Sequence, residues 1–398
     1  MSSAYAHRMG SEAIQITGPD GAPVANRAVT VRQLRGEILF GCAGFETVQF
    51  VNGELKEEEK ERSEARVEKM LDLFHFITLP FYWGRFEPER GSPDTERLLK
   101  TAAWLRKKGC AVKGHPLCWH TVTAPWLLDL SDGEILAAQL ARIKRDVAAF
   151  DGLIDIWDVI NEVVIMPVFD RYDNGITRVC KREGRVELVR KVFAEAKAAN
   201  PKATLLINDF DMSEDYGNLI EELLAAGVPI SAIGLQSHMH QGCWSYEKTE
   251  EVLGRFERFG LPLHFTEVNL VSGELMPPSI ADLNDFAPDD WPSTPEGETR
   301  QAEELEAFYK WLFRCPLVEA VTYWSFTDGG WLNAPAGLMT KDARAKPAYD
   351  ALYQLIKHEW HTPEMQVITD EYGYAEIRGF RGRYVAEFHG GRMEFSIG

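Results

Sequence analysis

Eight short runs rich in β-branched and aromatic residues recur along the chain, and each closes on polar residues. They are ILFGCAGF (ending at residue 45), FHFITLPF (74–81), AVKGHPLCW (111–119), IDIWDVIN (154–161), TLLIND (204–209), AIGLQSH (232–238), LPLHFTE (261–267) and EAVTYWSF (319–326). Runs of this kind predict strands. Between them lie helical patterns: RLLKTAAWLRKKG (97–109), GEILAAQLARIKRDVAAF (133–150), VELVRKVFAEAKAAN (186–200) and EELEAFYKWLF (303–313). Strands alternating with helices make parallel βα units. Eight such units in 398 residues predict an α/β fold, a (β/α)8 barrel, rather than an open doubly wound sheet. No Gly-rich phosphate fingerprint follows the first run, which counts against a dinucleotide-binding domain.

Two pieces fall outside this rhythm. Residues 12–35 carry the turn signal GPDGAP between strand-like runs, and the C-terminal stretch reads as strand, turn and strand. Each is too short to stand alone. The expected organisation is therefore a catalytic barrel over 36–360, with 12–35 and 361–398 paired as a small accessory β-sandwich. The C-terminal strands read as a cap on the barrel's edge, with a carbohydrate-binding module as the alternative. The longest irregular stretch, 271–298, holds five prolines and follows the seventh run. Loops there border the active face of a barrel.

Charge narrows the partners. The formal net charge is −18, which argues against nucleic acid, because phosphate binding needs clustered Lys and Arg. A neutral or weakly charged substrate fits better. No run of about 18 apolar residues exists, so no membrane span is expected. The start, MSSAYAHRMGSEAIQ, lacks the apolar stretch of a secretory leader. A cytoplasmic protein is expected, or a secreted or periplasmic one whose leader has been removed. The six cysteines are scattered without metal-type spacing and read as buried free thiols. Nothing in the sequence implies an obligate protein partner.

In such a barrel the site lies at the carboxyl ends of the strands. The third run ends with His115, Trp119 and His120, and the fourth with Asn161 and Glu162. The fifth ends with Asn208 and Asp209, and the sixth with Gln236, His238 and His240. The seventh ends with Glu267; the eighth carries Trp324, with Asp328 and Trp331 beyond. Breaking a glycosidic bond needs an acid for the leaving oxygen and a carboxylate for the positive sugar carbon. Glu162 and Glu267, each directly after an apolar strand and on opposite sides of the mouth, are the candidates. Flat aromatic faces suit sugar rings. The chemistry calls for no metal or cofactor. A carbohydrate substrate is expected; a catalytically silent sugar-binding barrel is the competing class, disfavoured because both carboxylates are present.

These stretches resemble glycoside hydrolase family 10, the xylanase-type barrels. GHPLCWH (114–120) resembles the family's G-H-T-L-V-W-H, and WDVINE (157–162) its W-D-V-x-N-E. INDFD (207–211) resembles I-N-D-Y-N, LQSHMH (235–240) its Q-S-H, and FTEVN (265–269) its I-T-E-L-D. YWSFTDGGW (323–331) resembles W-G-x-x-D-x-x-S-W. All six stand in the family's order over roughly residues 40–357. The resemblance implies a retaining hydrolase of β-linked chains, xylanase-like and endo-β-1,4 in type, working through a covalent glycosyl-enzyme. It implies Glu162 as acid/base and Glu267 as nucleophile. Asn161 would bond the sugar 2-hydroxyl, His238 would hold Glu267, and Gln236 would orient its neighbours. His115 and Trp119 would line the reacting sugar's subsite, and Trp324 and Trp331 would stack on sugars there. Phe210 replaces a family tyrosine on the leaving-group side; Asn208 and His120 are supporting candidates.

Three departures stand out. Where the family shows E-N-E-M-K-W, with Glu, Asn and Lys binding the non-reducing-side sugars, this chain has Thr78, Leu79, Pro80, Phe81, Tyr82 and Trp83. The lost polar groups point away from plain xylan, toward another β-glycoside or a decorated oligomer, with Phe81 and Tyr82 as replacement stacking surfaces. Asn269 stands where the family has Asp. The segment VVIMPVFDRYDNG (163–175) does not map onto the family's motifs.

Overall fold

A computed structural model describes residues 3–398. A 3-10 turn, Ser3–Arg8, leads into β1 (Met9–Gln15) and β2 (Ala28–Gly36). The barrel opens with β3 (Leu39–Ala43), α1 (Glu46–Asn52), α2 (Glu57–Leu73) and β4 (Phe76–Pro80). It continues through α3 (Trp83–Phe86), α4 (Thr95–Lys107), β5 (Ala111–His115), α5 (Asp132–Ala149) and β6 (Ile156–Asn161). Next come α6 (Gly175–Glu183), α7 (Arg185–Ala199), β7 (Thr204–Asp209), α8 (Glu214–Ala225), β8 (Ala232–Leu235) and the two-residue β9 (His238–Met239). Then α9 (Tyr246–Glu257), β10 (Leu263–Leu270), α10 (Pro295–Arg314), β11 (Val318–Tyr323) and α11 (Pro347–Gln354) complete the circuit. The strands β12 (Met365–Ile368), β13 (Tyr374–Phe380), β14 (Gly382–Phe388) and β15 (Gly391–Ile397) end the chain.

The sheet runs β11-β3-β4-β5-β6-β7-β8-β10, and β10 pairs back to β11. Eight parallel strands therefore close into the expected barrel. Serine and threonine caps fix where helices start. Ser131 Oγ accepts from the Glu134 amide while the Ser131 amide donates to the Glu134 carboxylate, a reciprocal capping box that opens α5. Thr294 caps α10, with Pro295 in its first turn. The long irregular stretch thus ends at 294, and α10 begins eight residues before the predicted helical pattern. Its first turn is polar and acidic, so apolar periodicity does not reveal it. Likewise β10 runs past Glu267 to Leu270, with its register interrupted between Phe265 and Val268.

Close approach decides one glycine. A Cβ on Gly114 would lie 2.1 Å from Trp157 Cζ3, so only glycine lets the indole cross β5. Phe81 packs edge-on against that indole at 4.9 Å and is fully buried. This corrects one expectation: Phe81 is core and has no face for a sugar, and Leu79 and Thr78 are equally buried.

The terminal segments form two antiparallel sheets. β1 pairs with β13, and a second sheet runs β12-β2-β14-β15. Ile16, Val29, Val31, Ala375, Ile377, Tyr384, Ala386 and Ile397 form the small core they share. The C-terminal stretch supplies four strands, two more than its strand-turn-strand pattern predicts, because the residues of β12 and β15 are mostly half-buried or exposed. β1 starts at Met9, three residues earlier than expected. Among the described residues no helix is long and apolar enough to cross a membrane.

Arg8 pins this appendage to the barrel. It is buried; its guanidinium donates to the carbonyls of Phe313 (3.2 Å), Val318 (3.0 Å) and Cys315, and lies 5.3 Å from the Phe313 ring centroid. Removing a charged donor strands those carbonyls. We expect Arg8→Ala to destabilise the protein by about 2–3 kcal/mol, read as a lower urea midpoint. A change below about 0.5 kcal/mol would show that water replaces the guanidinium there.

Candidate active site

The predicted strand-end residues converge on the mouth of the barrel. Glu162 follows β6 with φ of +57°, a left-handed conformation that costs a non-glycine residue about 1–3 kcal/mol. Neighbouring backbone holds it there. The Glu162 amide donates to Asn208 O (2.8 Å), the Asn161 amide to Cys118 O (2.9 Å), and the Val164 amide to Asp209 Oδ2 (3.0 Å). Glu267 lies within β10 and faces the same space.

Amide side chains join the two carboxylates. Asn161 Nδ2 donates to Glu162 Oε1 (3.1 Å). Asn208 Nδ2 donates both to Asn161 Oδ1 (2.7 Å) and to Glu267 Oε1 (2.9 Å). Gln236 Nε2 donates to Asn161 Oδ1 (3.1 Å) and Glu162 Oε1 (3.2 Å). Thr266 Oγ1 donates to Asn208 Oδ1 (2.7 Å), which fixes that amide's orientation. The chain needs room. A Cβ on Gly234 would sit 2.4 Å from Asn208 Oδ1, so β8 carries glycine beside Asn208.

Environment separates the two acids. Glu162 also accepts from Trp119 Nε1 (2.8 Å). Burial pushes its pKa up to about 8, and Glu267 and Asp209 add like-charge pressure against the hydrogen bonds from Trp119 and Gln236. For Glu267, burial again favours the neutral form. The hydrogen bond from His238 (Nε2 to Oε2, 2.9 Å), the imidazole of His115 and the amide of Asn208 outweigh it, holding the pKa below the ordinary glutamate value. At neutral pH Glu162 is protonated and Glu267 ionised, a division that fits one acid and one nucleophile.

Aromatic rings wall the side formed by β4, β5 and β11. Tyr82 lies tilted on Trp119 at 5.5 Å and edge-on to His115 at 5.7 Å. Trp324 meets His115 edge-on at 5.1 Å and His238 at 6.0 Å. Trp331 covers His238 at 4.4 Å. His115 is fixed from below by Nδ1 to Asp158 Oδ2 (2.7 Å), and Lys113 Nζ lies 2.8 Å from the same oxygen. Burial opposes ionised Asp158, but Lys113 and His115 prevail and bring its pKa down to about 2. This buried pair was not singled out from sequence; Lys113, a charge inside an apolar strand run, was the available signal.

The remaining candidates sit as follows. Phe210, first residue after β7, stays 47% exposed. His120 is buried with Nε2 3.9 Å from Glu162 Oε2; burial lowers its pKa to about 4, so it is neutral. Asn269 Oδ1 lies 3.4 Å from His238 Nδ1. His240 is buried against Trp331 and Trp291, and among the described residues neither ring nitrogen has a hydrogen-bond partner. Asp328 lies away from the carboxylates, where it accepts from Lys346 Nζ (2.6 Å) and the Gly337 amide (2.9 Å) and so holds the loop bearing Trp331. All six cysteines are free, five of them buried. Among the described residues no group of three or more His, Cys, Asp or Glu is placed to hold a metal ion.

Comparison with known proteins identifies the family. The sequence pattern of glycosyl hydrolase family 10 matches residues 55–355. The chain is similar to endo-1,4-beta-xylanase B of Thermotoga neapolitana, 28% identical over 294 residues, covering 70% of this chain and 78% of that protein. It is also similar to an endo-1,4-beta-xylanase of Geobacillus stearothermophilus, 27% identical over 236 residues, covering 56% and 68%. Among solved structures, native xylanase 10B of Thermotoga maritima superposes with a TM-score of 0.65 at 25% identity, over 81% of this chain and 96% of that one. The match to the family pattern spans well over half the sequence and includes both glutamates: the chain belongs to glycosyl hydrolase family 10, a family of retaining glycosidases, and is a glycoside hydrolase.

Proposed function

We propose that this protein cleaves β-1,4-linked chains of the xylan type, with Glu162 as acid/base and Glu267 as nucleophile, and that it prefers short or decorated oligomers to plain xylan. The observation that carries the roles is the amide-linked pair of carboxylates, Glu267 buried and Glu162 partly buried, biased to opposite protonation states. Glu267 attacks the sugar carbon while Glu162 protonates the leaving oxygen. Glu162, now ionised, then deprotonates the water that releases the glycosyl-enzyme. The Tyr82, His115, Trp119 and Trp324 wall holds the reacting ring, and Asn161 and Gln236 supply polar contacts at its edge. The endo-1,4-beta-xylanases similar to this chain support the linkage.

The substrate preference follows from the segment after β4. Leu79 and Thr78 are fully buried, and Thr78 Oγ1 has no hydrogen-bond partner among the described residues. Neither offers a group to a sugar, which leaves Tyr82 as the polar residue of that segment facing the site. Each hydrogen bond withheld from a bound sugar costs about 1–3 kcal/mol, so two or three together weaken binding by orders of magnitude.

Four outcomes test this reading. Glu267→Ala should abolish turnover. Glu162→Ala should retain more activity on substrates with very good leaving groups, and azide should restore rate and yield a glycosyl azide. Equal inactivity on activated and natural substrates would remove Glu162 from the acid role. The kcat/KM profile should lose activity as pH rises through about 8, where Glu162 ionises, and as pH falls below the ordinary glutamate value of 4.5, where Glu267 is protonated; Glu162→Ala should erase the basic limb. Across a panel of defined β-linked oligomers, kcat/KM for xylohexaose should fall at least about ten-fold below the best substrate, the effect of roughly 1.4 kcal/mol. Xylohexaose as the clear favourite would overturn the substrate preference.

A further inference from the structure

The two loops that sequence patterns leave unassigned meet each other. Arg171, in the loop after β6, donates through Nη1 to Asp282 Oδ2 (2.5 Å) and through Nη2 to Asp285 Oδ1. Both aspartates belong to the loop after β10. The partners are 111 and 114 residues apart. In the sheet β7 and β8 separate β6 from β10. The contact therefore joins the loops that follow the two strands flanking β7 and β8.

Each arm is anchored beside one carboxylate. On the β6 side Phe169 packs on His120 at 4.4 Å, and Tyr172 meets Phe169 edge-on at 5.0 Å. His120 is the neighbour of Glu162. On the β10 side Gln241 Nε2 donates to Pro277 O (3.0 Å) and Ile280 O (2.8 Å). Phe286 packs edge-on to Trp291 at 4.9 Å, and Trp291 lies 6.1 Å from His240, which adjoins His238 and so Glu267.

The aromatic wall on β4, β5 and β11 takes up the reacting sugar. On that reading the leaving group departs on the side of β7 and β8, where Phe210 is exposed and the Arg171 contact joins the two flanking loops. We propose that Arg171 is a specificity-determining residue: its paired contacts to Asp282 and Asp285 strap the leaving-group half of the cleft, admitting a short leaving group and hindering a continuing polysaccharide chain. This rests on the assignment of Glu162 as the acid. Exposed ion pairs are individually weak and screened by salt, so the strap opens under conditions that leave the barrel intact.

The test compares the parent chain with Arg171→Ser, the double variant Asp282→Asn/Asp285→Asn, and Arg171→Lys. The readout is the ratio of kcat/KM on a soluble β-1,4-xylan to that on an aryl β-xylobioside. Both disrupting variants should raise the ratio at least five-fold, and Arg171→Lys should raise it less. For the parent, 0.5 M NaCl should raise the ratio as well, and Arg171→Ser should not respond. A second readout needs no substrate. With Phe210→Cys in place, labelling by a 5-kDa poly(ethylene glycol) maleimide should accelerate at least five-fold on adding Arg171→Ser, relative to labelling by N-ethylmaleimide. An unchanged kcat/KM ratio in both disrupting variants overturns the specificity role, whatever the labelling shows. If the parent turns over neither substrate, the functional reading fails, and the labelling alone decides the strap: acceleration supports it and unchanged labelling overturns it.

Discussion

The site depends on a line of hydrogen bonds that runs from Glu162 through Asn161 and Asn208 to Glu267. Its members come from three strands or their ends, β6, β7 and β10, so it fixes the carboxylates relative to each other and not only to their own backbone. Asn161 Oδ1 accepts from Asn208 and Gln236 together. That commits Asn161 Nδ2 to Glu162. Thr266 commits Asn208 in the same way through its carbonyl. Every amide in the line therefore has one orientation, and none can turn without stranding a buried polar group.

Several costs elsewhere are explained by this line. The positive φ of Glu162 turns its side chain into the mouth at the place where Asn161 reaches it. The absent Cβ at Gly234 gives Asn208 the space to cross β8. Burial pushes both glutamates toward the neutral form, and what separates them, Glu162 raised and Glu267 lowered, is the company each keeps. Glu162 has an indole and neutral amides, and its nearest histidine is neutral His120. Glu267 has His238 at hydrogen-bond distance and His115 nearby. The asymmetry of the imidazoles, more than burial, distinguishes the two acids.

Much of this was legible in the sequence because it is local. Each glutamate follows an apolar run, and Asn161, Asn208 and Gln236 sit at strand ends where a barrel exposes its site. What was not legible depends on distant partners. Phe81 and Tyr82 are adjacent aromatics, yet Trp157 claims one for the core and the cleft claims the other. That division follows from alternation along the chain after β4, but short runs there leave the phase open. Arg171 reads as one charge in a polar loop, since its partners lie more than a hundred residues away and no periodicity links them. Arg8 similarly lies before the first recognised strand and acts on carbonyls at the far end of α10 and beyond.

The proposed substrate preference turns on what stands at the two ends of the cleft. After β4, groups that would grip a chain are replaced by Leu79 and Thr78, which point into the core, and by Tyr82, whose ring packs on Trp119 and His115. After β6 and β10, the two irregular loops join through Arg171. The central machinery between them keeps its full complement of acids, amides and imidazoles. Catalysis at one bond needs only that centre. Affinity for a long polymer needs contacts that accumulate along the cleft in both directions. The proposed preference for short or decorated oligomers amounts to keeping the first while reducing the second. Discrimination then rests on the few rings that fit around the two carboxylates.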